Sequence, residues 1–108
     1  MQTVTREYDK LVRDDIPAVI KRNGEVPVVR TASDDDEYES YLLEKLREEV
    51  DEYAASREHE ELADILEVVR VIREFEGLSE RELQELRDRK AESRGGFSDR
   101  IVLEHVES

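Results

Sequence analysis

Residues 41–75, YLLEKLREEVDEYAASREHEELADILEVVRVIREF, decide the fold. At about 100° per residue, Leu42, Leu46, Val50 and Tyr53 fall within about 80° of one another, so the first half reads as an amphipathic helix. In the second half, Leu62, Ile65, Leu66, Val68, Val69, Val71, Ile72 and Phe75 spread over more than about 180°. That arc is too wide for a helix packed on one side only and predicts a helix enclosed in a bundle. Ser56-Arg57-Glu58 supplies the turn between them. The expected fold is all-α: a helical hairpin that completes a four-helix-type bundle through homo-oligomerisation, with short extended segments near both ends.

Several acids fall inside the apolar arcs. Glu49 projects into the arc of the first long helix, Glu52 lies on its shoulder and Glu48 lies further round. Glu39 also falls in the arc, near the helix start, with no role assigned to it. On the second helix, Glu61 lies between the directions of Val68 and Ile72, and Asp64 between those of Val71 and Phe75. Folding the hairpin about Ser56-Arg57 sets Glu52 level with Glu61 and Glu49 level with Asp64, because each pair is equally far from the turn. Burying unpaired carboxylates costs several kcal/mol each, and clustering adds repulsion, so a positive partner is required. A hard divalent cation, Mg²⁺ or Mn²⁺, fits oxygen-only ligands. Ion pairs with Arg70 or Arg73 are the plain alternative. With 30 acidic residues in 108, E-x-x-E spacings arise by chance about eight times. Placement on the helix surface, rather than spacing, therefore carries the reading.

The flanks follow from local chemistry. Residues 1–32 read as a polar start, a short helix with Pro17 in its first turn and Asn23-Gly24 as its stop, and an extended run at Val26-Pro27-Val28-Val29. Ser33 offers an N-cap ahead of Asp34, Asp35, Asp36 and Glu37, an acidic first turn that complements the helix dipole. The long helix that begins there is expected to reach Ala54 or Ala55, and its successor to end before Gly77. Ser79 with Glu82 forms a capping-box pattern for a last helix, closed by Gly95-Gly96. Ile101-Val102-Leu103 reads as extended.

Composition sets the outer limits. A length of 108 residues with 37% hydrophobic content suits one domain, 1–108, with a thin core. The formal charge of −13 disfavours nucleic acid and anionic lipid as partners. The absence of cysteine excludes disulfides, thiolate metal sites and thiol nucleophiles. No window approaches the run of about 20 apolar residues that spans a bilayer, and the N-terminus lacks a signal-peptide pattern, so a cytoplasmic protein free of the membrane is expected. Acid-rich composition with four lysines (Lys10, Lys21, Lys45 and Lys90) resembles that of proteins from halophilic organisms.

The segments Glu48-Glu49-Val50-Asp51-Glu52 and Glu61-Leu62-Ala63-Asp64 together resemble the E-E-x-x-E … E-x-x-D signature of the all-α nucleoside triphosphate pyrophosphohydrolases, the MazG-like family. Lys10-Leu11-Val12-Arg13-Asp14 with Ile16-Pro17 resembles the opening of a single-domain branch related to phosphoribosyl-ATP pyrophosphohydrolase. The run from Lys90 through Arg94-Gly95-Gly96-Phe97 resembles the close of that branch. The resemblance implies Mg²⁺-dependent cleavage between the α and β phosphates of a nucleotide, giving the monophosphate and pyrophosphate, often to remove non-canonical nucleotides. By position it makes Glu49, Glu52, Glu61 and Asp64 metal ligands and Glu48 an accessory acid that orders or deprotonates water. Eight residues separate Glu52 from Glu61, about a turn fewer than in many members, so the connection must be tight.

Carboxylates alone repel a triphosphate, and the leaving pyrophosphate needs positive charge beyond the metal. Lys10, Arg13, Lys90 and Arg94 in the flanking motifs are the candidates for phosphate binding. Gly95-Gly96 could admit backbone amides to an anion or simply end a helix. His59 and His105 lack motif-spaced partners and read as surface residues. Tyr8, Tyr38, Tyr41 and Tyr53 read as packing residues. Three helices cannot cover the wide apolar arc, so a homodimer or a dimer of dimers is expected. Two alternatives share these features: a phosphoribosyl-ATP pyrophosphohydrolase of histidine synthesis, and a non-catalytic dimeric helical interaction module.

Overall fold

The computed structural model describes residues 6–108; residues 1–5, part of the polar start, lie outside the described set. Four helices follow in order, α1 (Ile16–Arg22), α2 (Asp35–Ser56), α3 (His59–Phe75) and α4 (Glu80–Arg94), with no strand among the described residues. The protein is all-α. Among the described residues, neither 26–29 nor 101–103 finds a sheet partner. None of the described helices is long and apolar enough to cross a membrane. The chain divides into two compact units, one ending at Ile72 and the other beginning at Arg73.

In the first unit, α1 starts with Pro17 in its first turn and ends with Lys21 and Arg22 near its negative pole. The N–H of Asn23 donates to the carbonyls of Val19 and Ile20, and Gly24 turns the chain away at φ +85°. The N-cap of α2 is Asp34 rather than Ser33. The Asp34 carboxylate accepts from the Glu37 N–H at 2.8 Å, while the Ser33 N–H donates to Glu37 Oε1 at 3.0 Å. An ionised carboxylate is the stronger acceptor at the positive end of a helix, so it takes the capping role and leaves Ser33 one position outside.

The turn between α2 and α3 is two residues long. Arg57 takes a left-handed conformation (φ 60°, ψ 16°) and its N–H donates to Tyr53 O at 2.8 Å. The Glu58 N–H donates to Ser56 Oγ at 3.2 Å. A single left-handed residue reverses the chain, so α3 folds back along α2.

Among the described residues, Leu42 and Val68 are the buried apolar side chains, and Glu49 is buried as well, at 5% exposure. The expectation that α3 is enclosed is not met by the residues packed around it in this unit. Leu62 is 42% and Leu66 70% exposed, and Val50 on α2 is 47% exposed. Only one long helix lies beside α3 here, and one partner covers one side of an arc that runs more than halfway round. Val50, Tyr53, Ala54, Arg57, Leu62 and Ile65 line an open groove of about 390 Å³ beside the turn.

In the second unit, the end of α3 is closed by a Schellman arrangement: the Leu78 N–H donates to Arg73 O, the Gly77 N–H donates to Glu74 O, and Gly77 sits at φ +75°. Ser79 and Glu82 form the expected capping box at the start of α4. The N–H of Gly95 donates to Ala91 O and ends the helix.

Candidate metal centre

The centre is built on the α2–α3 hairpin. Positions 49 and 52 share one face of α2, and positions 61 and 64 share one face of α3. Chain reversal at Arg57 turns those faces toward each other. One carboxylate oxygen from each of Glu49, Glu61 and Asp64 lies within 4.8 Å of the others, and the same holds for Glu48, Glu49 and Glu52. Glu49 belongs to both groups. Glu52 is near enough to Glu61 for the two carboxyl groups to interact. All four residues expected from the sequence as ligands, together with Glu48, thus meet in one place. Glu39, the acid left over in the apolar arc, is exposed.

Among the described residues, Lys45, Lys10 and Arg13 answer these acids. Lys45 Nζ lies 3.1 Å from Glu49 Oε1 and 3.3 Å from Glu48 Oε2. Lys10 Nζ lies 2.7 Å from Glu48 Oε1, and Arg13 Nη2 2.6 Å from Asp64 Oδ1. Arg70 and Arg73, the basic partners offered by proximity in sequence, are engaged elsewhere: Arg70 with Glu67 at 2.6 Å, and Arg73 with the Leu78 carbonyl at 2.7 Å. When ionised, these five carboxylates outnumber Lys10, Arg13 and Lys45 by two. The shortfall is local. Glu49 Oε2 and Glu61 Oε2 are buried and have no hydrogen-bond partner.

The electrostatics follow. Burial, the adjoining Glu52 carboxyl, and the charges of Asp64 and Glu49 push the Glu61 carboxyl up from 4.5 to about 7. Burial also pushes Glu48 up, but Lys10 and Lys45 outweigh it and hold Glu48 below its ordinary value. Lys45, only 17% exposed, is drawn down by burial, yet its bonds to Glu49 and Glu48 leave it raised. Within a few ångströms the site therefore contains one carboxyl that resists ionisation and one that favours it.

Lys10 and Arg13 reach the acids from the irregular segment before α1. That segment is tied to α2 by Tyr41, whose hydroxyl donates to Asp9 Oδ1 at 2.7 Å. Arg30 lies over the Tyr41 ring at 5.9 Å and pairs with Glu37 at 2.5 Å. The tyrosine read as a packing residue thus also fixes the approach of the N-terminal segment. Lys45 was not singled out by sequence reasoning either. Its signal was present, because it stands four residues before Glu49 and three before Glu48, on the same helix face.

Lys90 and Arg94 are exposed on the last two turns of α4, in the second unit. Gly95 is the C-cap of that helix, so the terminator role of the glycine pair is realised. His59 is exposed, and His105, in the second unit, lies 3.0 Å from Glu107.

The donor set is entirely oxygen, anionic, and incompletely neutralised by side chains. It is of a composition that could hold a hard cation, and Glu49 Oε2 and Glu61 Oε2 are its unpartnered buried oxygens. No family model matches the chain and no solved structure matches it. A protein of Mycolicibacterium smegmatis described as uncharacterized is 53% identical over 47 residues, which cover 44% of this chain and 47% of that relative. The match thus spans about half the length of the curated relative.

Proposed function

We propose that the chain is a Mg²⁺-dependent nucleotide pyrophosphohydrolase of MazG-like type, cleaving the α–β phosphate bond of a nucleoside triphosphate to give the monophosphate and pyrophosphate. One observation carries the reading. Glu49 is buried at the centre of a carboxylate cluster with Oε2 unpartnered, an arrangement that costs folding energy unless a cation completes it. Mn²⁺ suits the same ligands.

Glu49, Glu52, Glu61 and Asp64 would hold the ion. When bound, a divalent cation there supplies charge neutralisation for phosphate oxygens and a lower pKa for a coordinated water. Glu48 stays ionised because Lys10 and Lys45 hold its carboxyl down. An acid so held is a weak proton acceptor, and its natural task is to orient water by accepting a hydrogen bond. Lys10, Arg13, Lys90 and Arg94 are assigned to substrate phosphates; for Lys90 and Arg94 the support is the motif resemblance. A second copy of the chain, as a homodimer or dimer of dimers, would cover the exposed apolar side of α3.

The deciding experiment measures pyrophosphate release across a panel of ordinary and damaged nucleotides and phosphoribosyl-ATP, with Mg²⁺ titrated and then removed by chelation. Release with at least one nucleotide and its loss on chelation are expected. Glu49→Ala should lower turnover by more than about 100-fold, since loss of mere outer-sphere partners already costs about 10–100-fold at metal sites. The same variant should be at least as stable as the parent without metal, because a repelling buried charge has gone. No release from any nucleotide, with no stabilisation by Mg²⁺, would leave a non-catalytic helical module.

A further inference from the structure

We infer that Lys10 and Arg13 are exchangeable counter-ions: they hold Glu48 and Asp64 while the site lacks a metal, give way when a divalent cation binds and neutralises the cluster, with Asp64 becoming one of its ligands and Glu48 left to water, and are thereby released toward the phosphates of the substrate. The inference rests on the metal reading above. Two observations lead to it. The first is that two of the four residues expected to meet phosphate are already engaged, Lys10 with Glu48 at 2.7 Å and Arg13 with Asp64 at 2.6 Å. The second is that Glu49 Oε2 and Glu61 Oε2, beside those pairs, are buried without any partner, so Lys10, Arg13 and Lys45 do not complete the site.

Geometry allows the exchange. Arg13 is 56% and Lys10 38% exposed at their side chains, whereas Lys45 is enclosed on the rigid α2 helix. Leu11 and Val12 between the two cations are partly buried and anchor the backbone, as does the Tyr41–Asp9 bond. The long side chains can therefore swing while their Cα atoms stay near the site. A solvent-exposed ion pair is weak, and a divalent ion competes with it readily. Lys45 has no such freedom and stays with Glu49 and Glu48 as a permanent neutralising charge.

The test uses Mg²⁺ alone, so no substrate or turnover is involved. Calorimetric titration of the full chain should show Arg13→Gln and Lys10→Gln binding Mg²⁺ about fivefold more tightly than the parent, the fold-change of an exposed pair worth up to about 1 kcal/mol. Arg47→Gln, which removes an exposed charge on the outer face of α2, is the control for net charge. Tyr41→Phe, which cuts the tie to Asp9 but keeps both cations, should shift affinity in the same direction by less. It also serves if a counter-ion variant fails to fold. In the parent, the Arg13 guanidinium resonances in ¹⁵N NMR should change as Mg²⁺ saturates the site, because its bond to Asp64 is lost. Tightening no greater than that of Arg47→Gln, or an Arg13 signal unmoved at saturation, overturns the exchange and leaves the metal site standing. A parent chain that binds no Mg²⁺ overturns both.

Discussion

Glu61 keeps its proton over a range in which an exposed glutamate has lost it, and that difference has a definite sign. Its carboxyl rises from 4.5 to about 7 through burial and the neighbouring Glu52, Asp64 and Glu49. Between those two values the folded protein holds more proton at this position than the unfolded chain does, so stability falls as pH rises through the interval. Glu48, Glu37 and Glu67 are shifted the other way by Lys10 and Lys45, Arg30 and Arg70, and their contributions are lost only as pH falls below the ordinary carboxylate value. The metal-free protein should therefore lose thermal stability from about pH 4.5 to about pH 7. Glu61→Gln should remove that slope and raise the melting temperature at pH 8, as read by circular dichroism in chelator. Mg²⁺ should stabilise the parent at pH 8 and have less effect on the variant, which has lost a charged ligand. A parent melting curve flat across the interval would show that Glu61 is ionised and neutralised by side chains already present.

At the scale of the element, the hairpin turn sets which acids meet. Arg57 occupies a left-handed conformation at φ 60°, a region that costs a non-glycine residue about 1–2 kcal/mol. Glycine adopts it freely but adds entropy to the unfolded chain. Arg57→Gly should therefore be neutral or stabilising by up to about 1 kcal/mol in denaturant unfolding, with Mg²⁺ affinity unchanged because no carboxylate moves. A destabilised variant would mean that the Arg57 side chain, whose Nε donates to Ala54 O at 3.3 Å, contributes more than its backbone costs. The same element shows what the residue pattern discloses. Helical periodicity and symmetry about Ser56-Arg57 were enough to bring Glu49, Glu52, Glu61 and Asp64 together, because a tight turn between two regular helices leaves little choice of register. The cations were less legible. Lys10 and Arg13 arrive through an irregular segment whose place is set by contacts far apart in sequence, among them the Tyr41–Asp9 bond across 32 positions. Asp34 displaced Ser33 as the cap of α2 for a similar reason: several acceptors competed, and their relative strength, rather than their presence, decided the outcome.

On the scale of the whole molecule, the question is what covers Val50, Leu62 and Leu66. Each fully buried leucine or valine is worth about 1.5–3 kcal/mol, so a face that exposes several of them forgoes stabilisation comparable with the net stability of a small domain. A second copy would recover it, but each copy carries a formal charge of −13, and bringing two together at low salt adds repulsion. Association should therefore strengthen with ionic strength, opposite to the behaviour of an interface held by ion pairs. Sedimentation equilibrium from low salt to about 1 M, where the Debye length has shrunk to about 3 Å, should show monomer giving way to dimer or tetramer. Leu66 is the residue to change, because an exposed position contributes little to the fold of one chain; Leu66→Glu should alter monomer unfolding by no more than about 0.5 kcal/mol. Across the interface the same change would bury an unpaired carboxylate, and the dissociation constant should rise by at least about 100-fold. A parent that stays monomeric at high salt and high concentration would mean that a different partner covers this face. Should the parent associate and Leu66→Glu associate equally well, the contact lies elsewhere on the chain.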